Sequence, residues 1–352
     1  MKRYGHIYEE IIKKDNIKNA IRRASKGKRN RHDVKRILGD IDSYADKIHA
    51  MLLGDFTFSD YQSGVIREGI QKKERIIFKP KFYPDQIVHW AIILQLEPIF
   101  LHSMYEFNCG SIPNRGVHYG KRFVEKWVRT DRKNTKYFLK MDVAKFYPSI
   151  DIAMVEKLLT KKIKDKKALK LISKILHKSE SGLPIGILTS QWFANFYLQG
   201  LDNYIKHQLK AKHYIRYMDD MIIFGPNKKK LHKMQKLIAI HLKGLSLKMK
   251  TNWQVARVAD RGVDFMGFRF FPNKTILRRA LMLRITRKAK KIFKKAKPTM
   301  QDAQGMVSDM GWVKYSDSKK MREKWIDPYI NIKALKEIIR GETHAGNTKG
   351  AR

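Results

Sequence analysis

The sequence is short of cysteine, of acidic residues and of long apolar runs, and each shortage excludes something. One cysteine, Cys109, stands in 352 residues, which removes intramolecular disulfides and cysteine-based zinc sites and fits a reducing compartment. Packing is the role expected of it. The twelve histidines show no His-x-x-x-His or comparable spacing, so a zinc enzyme is not expected. The most apolar long stretch, residues 87–105, is interrupted by His89, Gln95, Glu97 and His102 and does not read as a membrane span. The charged start Met1-Lys2-Arg3-Tyr4-Gly5-His6 has no apolar region behind it, which argues against secretion. No internal repeat is visible, and no low-complexity block beyond basic runs. These features predict a soluble, cytoplasmic protein.

Positive charge is abundant. Lys and Arg number 75 against 33 Asp and Glu, a formal net charge of +42 spread from Lys2 to Arg352. Such a field repels itself unless a polyanion answers it. Nucleic acid is the expected partner rather than a membrane surface, because no isolated amphipathic anchor or lipidation signal accompanies the charge. Binding is then expected to weaken steeply with salt.

The length allows a sizeable core in one multi-lobed unit or a few subdomains. Ile7, Ile11, Ile12, Ile17 and Ile21 recur near helical spacing, a basic run over 26–31 interrupts, and a second helix is expected over 33–52, ended by Gly54. Residues 56–82 read as short strands around a polar turn, with Arg75-Ile76-Ile77-Phe78 as a β run. Asp85 opens an apolar helix through Phe100. A loop with Gly110, Pro113, Gly116 and Gly120 leads to a helix near 121–129, and residues 137–143 read as a buried strand whose end carries Asp142. Helical character returns over 152–176, and a turn at 182–186 precedes a long helix expected over 189–212, with Trp192, Phe193, Phe196 and Leu201 in the core. A basic helix over 228–242, strand-like segments at 253–255 and 265–268, and a basic helical region from 278 onward complete the pattern. Residues 341–352 lack apolar side chains and are expected to form a mobile tail.

The most informative passage is Tyr217-Met218-Asp219-Asp220, flanked by Tyr214-Ile215-Arg216 and Met221-Ile222-Ile223-Phe224. Asp favours turns and the flanks favour strands, which predicts a hairpin with two carboxylates at its tip. Paired carboxylates on a rigid turn attract a hard divalent cation. Two-metal phosphoryl transfer needs acids from at least two elements, because one turn cannot surround ions about 3.5 to 4 Å apart. Asp142 supplies the second side. The order strand-acid, long helix, hairpin with two acids is that of a polymerase palm.

That signature, with Asp142-Val143-Ala144-Lys145-Phe146-Tyr147-Pro148-Ser149-Ile150, resembles the two catalytic blocks of reverse transcriptases. Within that family the chain is similar to the group II intron-like enzymes of diversity-generating retroelements. The likeness lies in Gly182-Leu183-Pro184-Ile185-Gly186-Ile187-Leu188-Thr189-Ser190-Gln191-Trp192-Phe193-Ala194-Asn195, where Ser190-Gln191 stands in place of the Ser-Pro of most relatives. Trp253-Gln254-Val255, Arg261-Gly262-Val263-Asp264-Phe265-Met266-Gly267-Phe268 and the basic start around Gly27-Lys28-Arg29 also resemble it, and the likeness runs from about residue 10 to 295.

The resemblance implies an α+β right-hand polymerase with an antiparallel palm sheet. A basic helical N-terminal extension would occupy 1–55, fingers with part of the palm 56–136, palm 137–272, helical thumb 273–340 and tail 341–352. It implies an RNA-directed DNA polymerase that copies a template-repeat RNA into error-prone, adenine-mutagenised cDNA for mutagenic retrohoming. Alternatives are a retron, group II-like or phage-defence reverse transcriptase, or a non-catalytic RNA-binding protein on a polymerase scaffold. Asp142, Asp219 and Asp220 would be catalytic and, with the Val143 carbonyl, would hold two magnesium ions, for which manganese can substitute. Tyr147 matches the aromatic under the incoming sugar that excludes a 2′-hydroxyl, which favours a DNA product.

Arg75 matches the arginine that clamps the dNTP triphosphate, a task suited to a planar fork of donors, with help from Lys72 or Lys73. Ile185 and Gln191 belong to the nucleotide site. Where many relatives have a glutamine that contacts the nascent pair, Ile185 offers neither donor nor acceptor, so nucleotide selection is expected to loosen. Phe265, Met266, Gly267 and Phe268 match the primer grip, with Gly267 permitting close backbone approach. The helix over 278–295 fits a thumb that tracks duplex phosphates. Implied partners are a structured template RNA, the RNA/cDNA duplex and a small basic accessory protein, with no membrane. The implied setting is bacterial, archaeal or phage-encoded and, at work, nucleoid-associated. The roughly 80 residues from the expected start of the thumb onward are expected to be too few for an RNase H domain or for DNA-binding and endonuclease domains.

Overall fold

The structure, a computed structural model, describes residues 3–68 and 73–348, the side chains of residues 68, 73 and 342–348 excepted. Four helices open the chain: α1 (Ile7–Ile12), α2 (Lys14–Ala24), α3 (His32–Gly39) and α4 (Ile41–Leu53). The strands β1 (Gln62–Glu68) and β2 (Lys73–Lys79) follow, then a π turn (Phe82–Gln86), α5 (Ile87–His102) and α6 (Val117–Thr130). Next come β3 (Tyr137–Met141), α7 (Phe146–Ser149), α8 (Ile152–Thr160), α9 (Lys166–Leu176), α10 (Leu188–Tyr197) and α11 (Gln199–Asn203). A second π turn (Tyr204–Gln208) leads to the hairpin of β4 (His213–Tyr217) and β5 (Asp220–Gly225), followed by α12 (Lys228–Gly244), β6 (Gln254–Arg257) and α13 (Val258–Arg261). The chain closes with β7 (Val263–Phe265), β8 (Phe268–Phe270), β9 (Thr275–Leu277), α14 (Arg279–Phe293), α15 (Met300–Lys314), α16 (Lys319–Trp325) and α17 (Ile332–Thr348). It is a mixed helix and sheet fold.

The chain divides into two compact units, one of Met1–Gly116 with Leu139–Val255 and one of Val117–Phe138 with Ala256–Arg352. Each holds parts of more than one of the segments expected from the sequence. The first unit is built on α5, whose Ile87, Val88, Ala91, Ile92, Ile93, Leu96 and Phe100 are all buried. A helix apolar on every side belongs in a core, and α1, α2 and α10 pack against it. The sheet has the order β4-β5-β3-β6. Because β3 lies beside β5, the acid that follows β3 comes close to the turn that precedes β5.

Several expected helices are interrupted, two of them by an aspartate that satisfies backbone groups. The helix expected over 33–52 is two helices, parted at Asp40, whose carboxylate accepts from Ser43 N at 3.2 Å. The helical stretch over 152–176 breaks before Asp165, which caps α9 by accepting from Ala168 N at 3.1 Å. The long helix expected over 189–212 is α10, α11 and a π turn in succession, though Trp192, Phe193, Phe196 and Leu201 are buried as expected. Asp85 does not open α5; it lies buried in the preceding turn and accepts from Ser59 N at 3.3 Å.

In the second unit β7, β8 and β9 form an antiparallel sheet, with α6 against β8 and α15 against α14 and α17. Thr299 and Asp302 open α15 with a reciprocal capping box. Helix α17 runs to Thr348, past Gly341, where the sequence reading placed the start of a tail. Residues 349–352 lie outside the described ones. Among the described residues no helix is long and apolar enough to cross a membrane.

Candidate active site

Tyr217 pairs with Asp220, so Met218 and Asp219 alone make the β4–β5 turn. Met218 sits at φ 55, the left-handed conformation that a two-residue hairpin turn asks for. Asp142 follows β3 directly, and its carbonyl accepts from Lys250 N at 2.8 Å. The structure brings these two acids close enough for the charge of Asp142 to act on the Asp219 carboxyl. Burial first, and then the neighbouring Asp142 carboxylate, push the Asp219 acid up to about 7, while its own backbone N–H and Lys250 pull the other way.

Lysines already answer part of this charge. Lys250 Nζ donates to Asp142 Oδ2, and Lys140 Nζ stands 3.6 Å from Asp220 Oδ2. Asp142 Oδ1 is buried with no hydrogen-bond partner among the described residues. An undonated carboxylate oxygen beside a raised acid is the donor chemistry that a hard divalent ion takes. Among the described residues no three His, Cys, Asp or Glu groups are arranged to hold an ion. Val143 is buried and bridges antiparallel to Met249.

The nucleotide-site residues expected from the sequence all lie in the first unit. Tyr147 is carried by α7, whose loop is locked where Leu183 N donates to the Tyr147 carbonyl at 2.9 Å. Burial, then the nearby charges of Asp219 and Tyr217, raise its phenol well above the usual range. Gly182 is obligatory here, since a Cβ would lie 2.3 Å from the Tyr147 carbonyl oxygen. The Ile185 carbonyl accepts from Phe78 N at 2.7 Å, docking the 182–187 loop on β2. Arg75 is exposed on the same strand, opposite Ile66. Gln191 lines a cavity of about 830 Å³ with Gly186 and the cations Lys28, Arg31, Lys79 and Lys81. Lys72 lies outside the described residues, as does the side chain of Lys73.

The residues matched to a primer grip lie in the second unit. Met266 (φ 49) and Gly267 (φ 84) form a two-residue turn between β7 and β8, with Phe265 and Phe268 fully buried on either side. A Cβ on Gly267 would meet Trp312 Cζ3 at 2.8 Å, and the Gly267 carbonyl accepts from Arg278 N at 2.8 Å.

Sequence reasoning missed Lys250, Lys140, Gly110 and the buried trio Arg216, Asp202 and Asn195. Arg216 left one signal, a lone charge inside an otherwise apolar strand. Cys109 is buried with its thiol pushed up to about 12 by burial, in keeping with a packing role.

Known proteins resemble this chain over part of its length. The family model described as "Reverse transcriptase (RNA-dependent DNA polymerase)" matches residues 70–270. The group II intron-encoded protein LtrA of Lactococcus lactis subsp. cremoris is 30% identical over 198 residues, 53% of this chain and 32% of LtrA. The retron Ec73 reverse transcriptase of Escherichia coli is 31% identical over 163 residues, 42% of this chain and 48% of that protein. The chain thus spans about a third to a half of these relatives' lengths. A solved apo telomerase from Candida tropicalis, truncated from its C-terminal domain, aligns with TM-score 0.44 at 12% identity, covering 63% of this chain and 55% of that one. With more than half of its length matched, and Asp142 and Asp219 meeting inside the matched span, the chain belongs to the reverse transcriptase family.

Proposed function

We propose that the protein is an RNA-directed DNA polymerase of the diversity-generating retroelement type, which copies a template RNA into mutagenised cDNA. The observation that carries the polymerase reading is the contact of Asp142 with Asp219 across two elements. Asp142, Asp219 and the Val143 carbonyl would hold magnesium, or manganese in its place, with Asp220 as a further ligand once it parts from Lys140. The metal would supply charge neutralisation and alignment as the primer 3′-hydroxyl loses its proton to solvent, its oxygen bonds to the α-phosphorus and the bond to pyrophosphate breaks.

The chain's own residues orient that reaction. Tyr147, whose backbone is pinned to Leu183, stands beside Asp219 and would carry the sugar of the incoming nucleotide, excluding a 2′-hydroxyl. Arg75 on β2 would take the triphosphate with its planar fork. Gln191 and Ile185, the latter fixed to β2 through Phe78, would complete the nucleotide pocket. The turn of Phe265, Met266, Gly267 and Phe268 would hold the primer end, and the basic α14 the duplex backbone. A structured RNA and a small basic accessory protein are the partners that this reading implies.

Ser190-Gln191 and Ile185 support the retroelement subgroup. A retron or group II-like enzyme is the second reading, favoured by the likeness to LtrA and the Ec73 enzyme. Sequencing cDNA made from co-purified RNA separates them. Errors concentrated opposite template adenines are expected; faithful cDNA selects the second reading, and an Asp219→Ala protein that still extends primers refutes both.

A further inference from the structure

The turn that carries Asp219 stands on a buried ion pair. Arg216 and Asp202 are both completely buried. The guanidinium donates from Nε to Asp202 Oδ1 at 2.8 Å and from Nη2 to Oδ2 at 2.5 Å, a two-point fork. Tyr214 Oη also donates to Asp202 Oδ1, at 2.6 Å. The other edge of the guanidinium points to the turn: Nη1 donates to the Met218 carbonyl at 2.9 Å and to Asn195 Oδ1 at 3.1 Å, and Nη2 to the Asn195 carbonyl at 3.5 Å. All five N–H donors of the side chain are therefore used.

Asn195 is held in turn. Its amide donates to the Gly110 carbonyl at 2.7 Å and to Met218 Sδ at 3.6 Å, and its Oδ1 accepts from Asn108 at 3.1 Å. The Arg216 backbone is clamped as well, with its N donating to the Phe107 carbonyl at 3.0 Å and its carbonyl accepting from Cys109 N at 2.8 Å. Gly110 leaves room for the turn, since a Cβ there would lie 2.5 Å from Met218 Sδ and 2.6 Å from Met218 N.

A buried charge pair is a weak source of stability, because desolvation opposes its attraction. Its worth here is geometric. The one turn atom that the guanidinium touches is the carbonyl of Met218, which sits at φ 55, a conformation that a residue with a long side chain rarely adopts. Asp219 is the next residue, so freedom at the Met218 peptide is freedom of its carboxylate.

We infer that Arg216, fixed by Asp202 and Asn195, is a positioning residue that holds the Met218 peptide and thereby aims the Asp219 carboxylate at Asp142. The inference rests on the reading of Asp142 and Asp219 as acids of the polymerase reaction. Lysine cannot take over the task. One ammonium can answer the charge of Asp202, but it has no planar fork to span Asp202 and the Met218 carbonyl together.

The test is single-turnover primer extension by Arg216→Lys, with dNTP titration, active-site titration and thermal melting on the same preparation. A folded protein with full burst amplitude is expected, with dNTP affinity within about twofold and a rate constant about 10- to 100-fold lower, the cost of a misplaced catalytic group. A wild-type rate constant at full amplitude overturns the inference. Reduced amplitude with an unchanged rate constant also overturns it, since that marks a merely structural role. Should the lysine variant not fold, Asn195→Ala, which leaves the Arg216–Asp202 pair in place, is read by the same criteria and overturns the inference on the same outcomes. Asp219→Ala runs alongside: activity there refutes the underlying reading of the site, whereas an inactive Asp219→Ala beside an unimpaired Arg216→Lys refutes this inference alone.

Discussion

Lys250 donates to Oδ2 of Asp142, so a lysine occupies one oxygen of the acid that Asp219 meets, across 108 residues of sequence. Both side chains are about one-third exposed, at 34% and 30%. The ammonium and a divalent ion would compete for the same carboxylate. Replacing the lysine with an uncharged residue of similar length removes the competitor, and a partly exposed pair of this kind is worth about 0.5 to 1 kcal/mol. Lys250→Met is therefore expected to tighten Mg2+ binding about two- to fivefold, read by isothermal titration calorimetry without substrate. Weaker or unchanged binding would show that Lys250 does not compete for that oxygen.

Asp165 joins two helices with one side chain. Its Oδ1 accepts from Ala168 N at 3.1 Å to cap α9, and its Oδ2 accepts from Tyr8 N at 2.7 Å at the start of α1. Loss of a cap costs about 0.5 to 2 kcal/mol, and the second, partly buried donor adds to this. Asp165→Ala is expected to lower unfolding free energy by about 2 kcal/mol in urea titration, whereas Asp165→Asn, with one acceptor oxygen for the two backbone donors, is expected to recover only part of that loss. Equal stabilities of the two variants would show that the carboxylate oxygens are not what holds the helices.

The two acids that meet were legible in the sequence because each lies where local chemistry changes abruptly, one at the end of an apolar strand and one in a two-residue turn. Their surroundings were not. Lys250 reaches Asp142 from far along the chain, and Asn195 reaches Gly110 across 85 residues, pairings with no local signature. Helix boundaries at Asp40 and Asp165 were readable in principle, as acids placed three residues before the amides they cap, but continuous apolar spacing on both sides concealed them. The break between α10 and α11 follows no cap at all, since Leu198 remains in helical conformation while the hydrogen-bond ladder changes.

His89 makes the fold sensitive to acid. It is fully buried, with Nδ1 3.0 Å from Thr189 Oγ1, and burial lowers its pKa from 6.5 to about 3. Between those values the unfolded chain binds a proton that the folded chain does not, so stability rises with pH across this window. The contribution is complete above about pH 6.5 and is lost as pH falls toward 3, a few kcal/mol at most. Burial raises the acid of neighbouring Asp85, and that group acts in the opposite sense, losing stability as pH rises. Melting temperatures of the wild type and His89→Gln, compared from pH 7.5 to 4.5, isolate the histidine. The variant is expected to lose less stability on acidification; parallel curves would assign the acid sensitivity to other groups.

Ile185 offers a direct test of fidelity, because its backbone and side chain do separate work. The carbonyl accepts from Phe78 N at 2.7 Å whatever side chain is attached, and Gly186 beyond it packs so closely that a Cβ would lie 2.7 Å from the Phe78 carbonyl oxygen. The loop position is thus set by main-chain contacts to β2, and a glutamine at 185 would enter the same place. Its amide would bring a donor and an acceptor that isoleucine lacks. A regained hydrogen bond of about 1 to 3 kcal/mol corresponds to roughly 5- to 150-fold in discrimination. Ile185→Gln is expected to lower misincorporation opposite template adenine by at least about fivefold, with primer extension on matched dNTPs retained, read by deep sequencing of cDNA from one RNA template. An unchanged error spectrum in a protein that extends normally would mean that Ile185 only packs, and that low fidelity, where it is found, arises elsewhere in the nucleotide pocket.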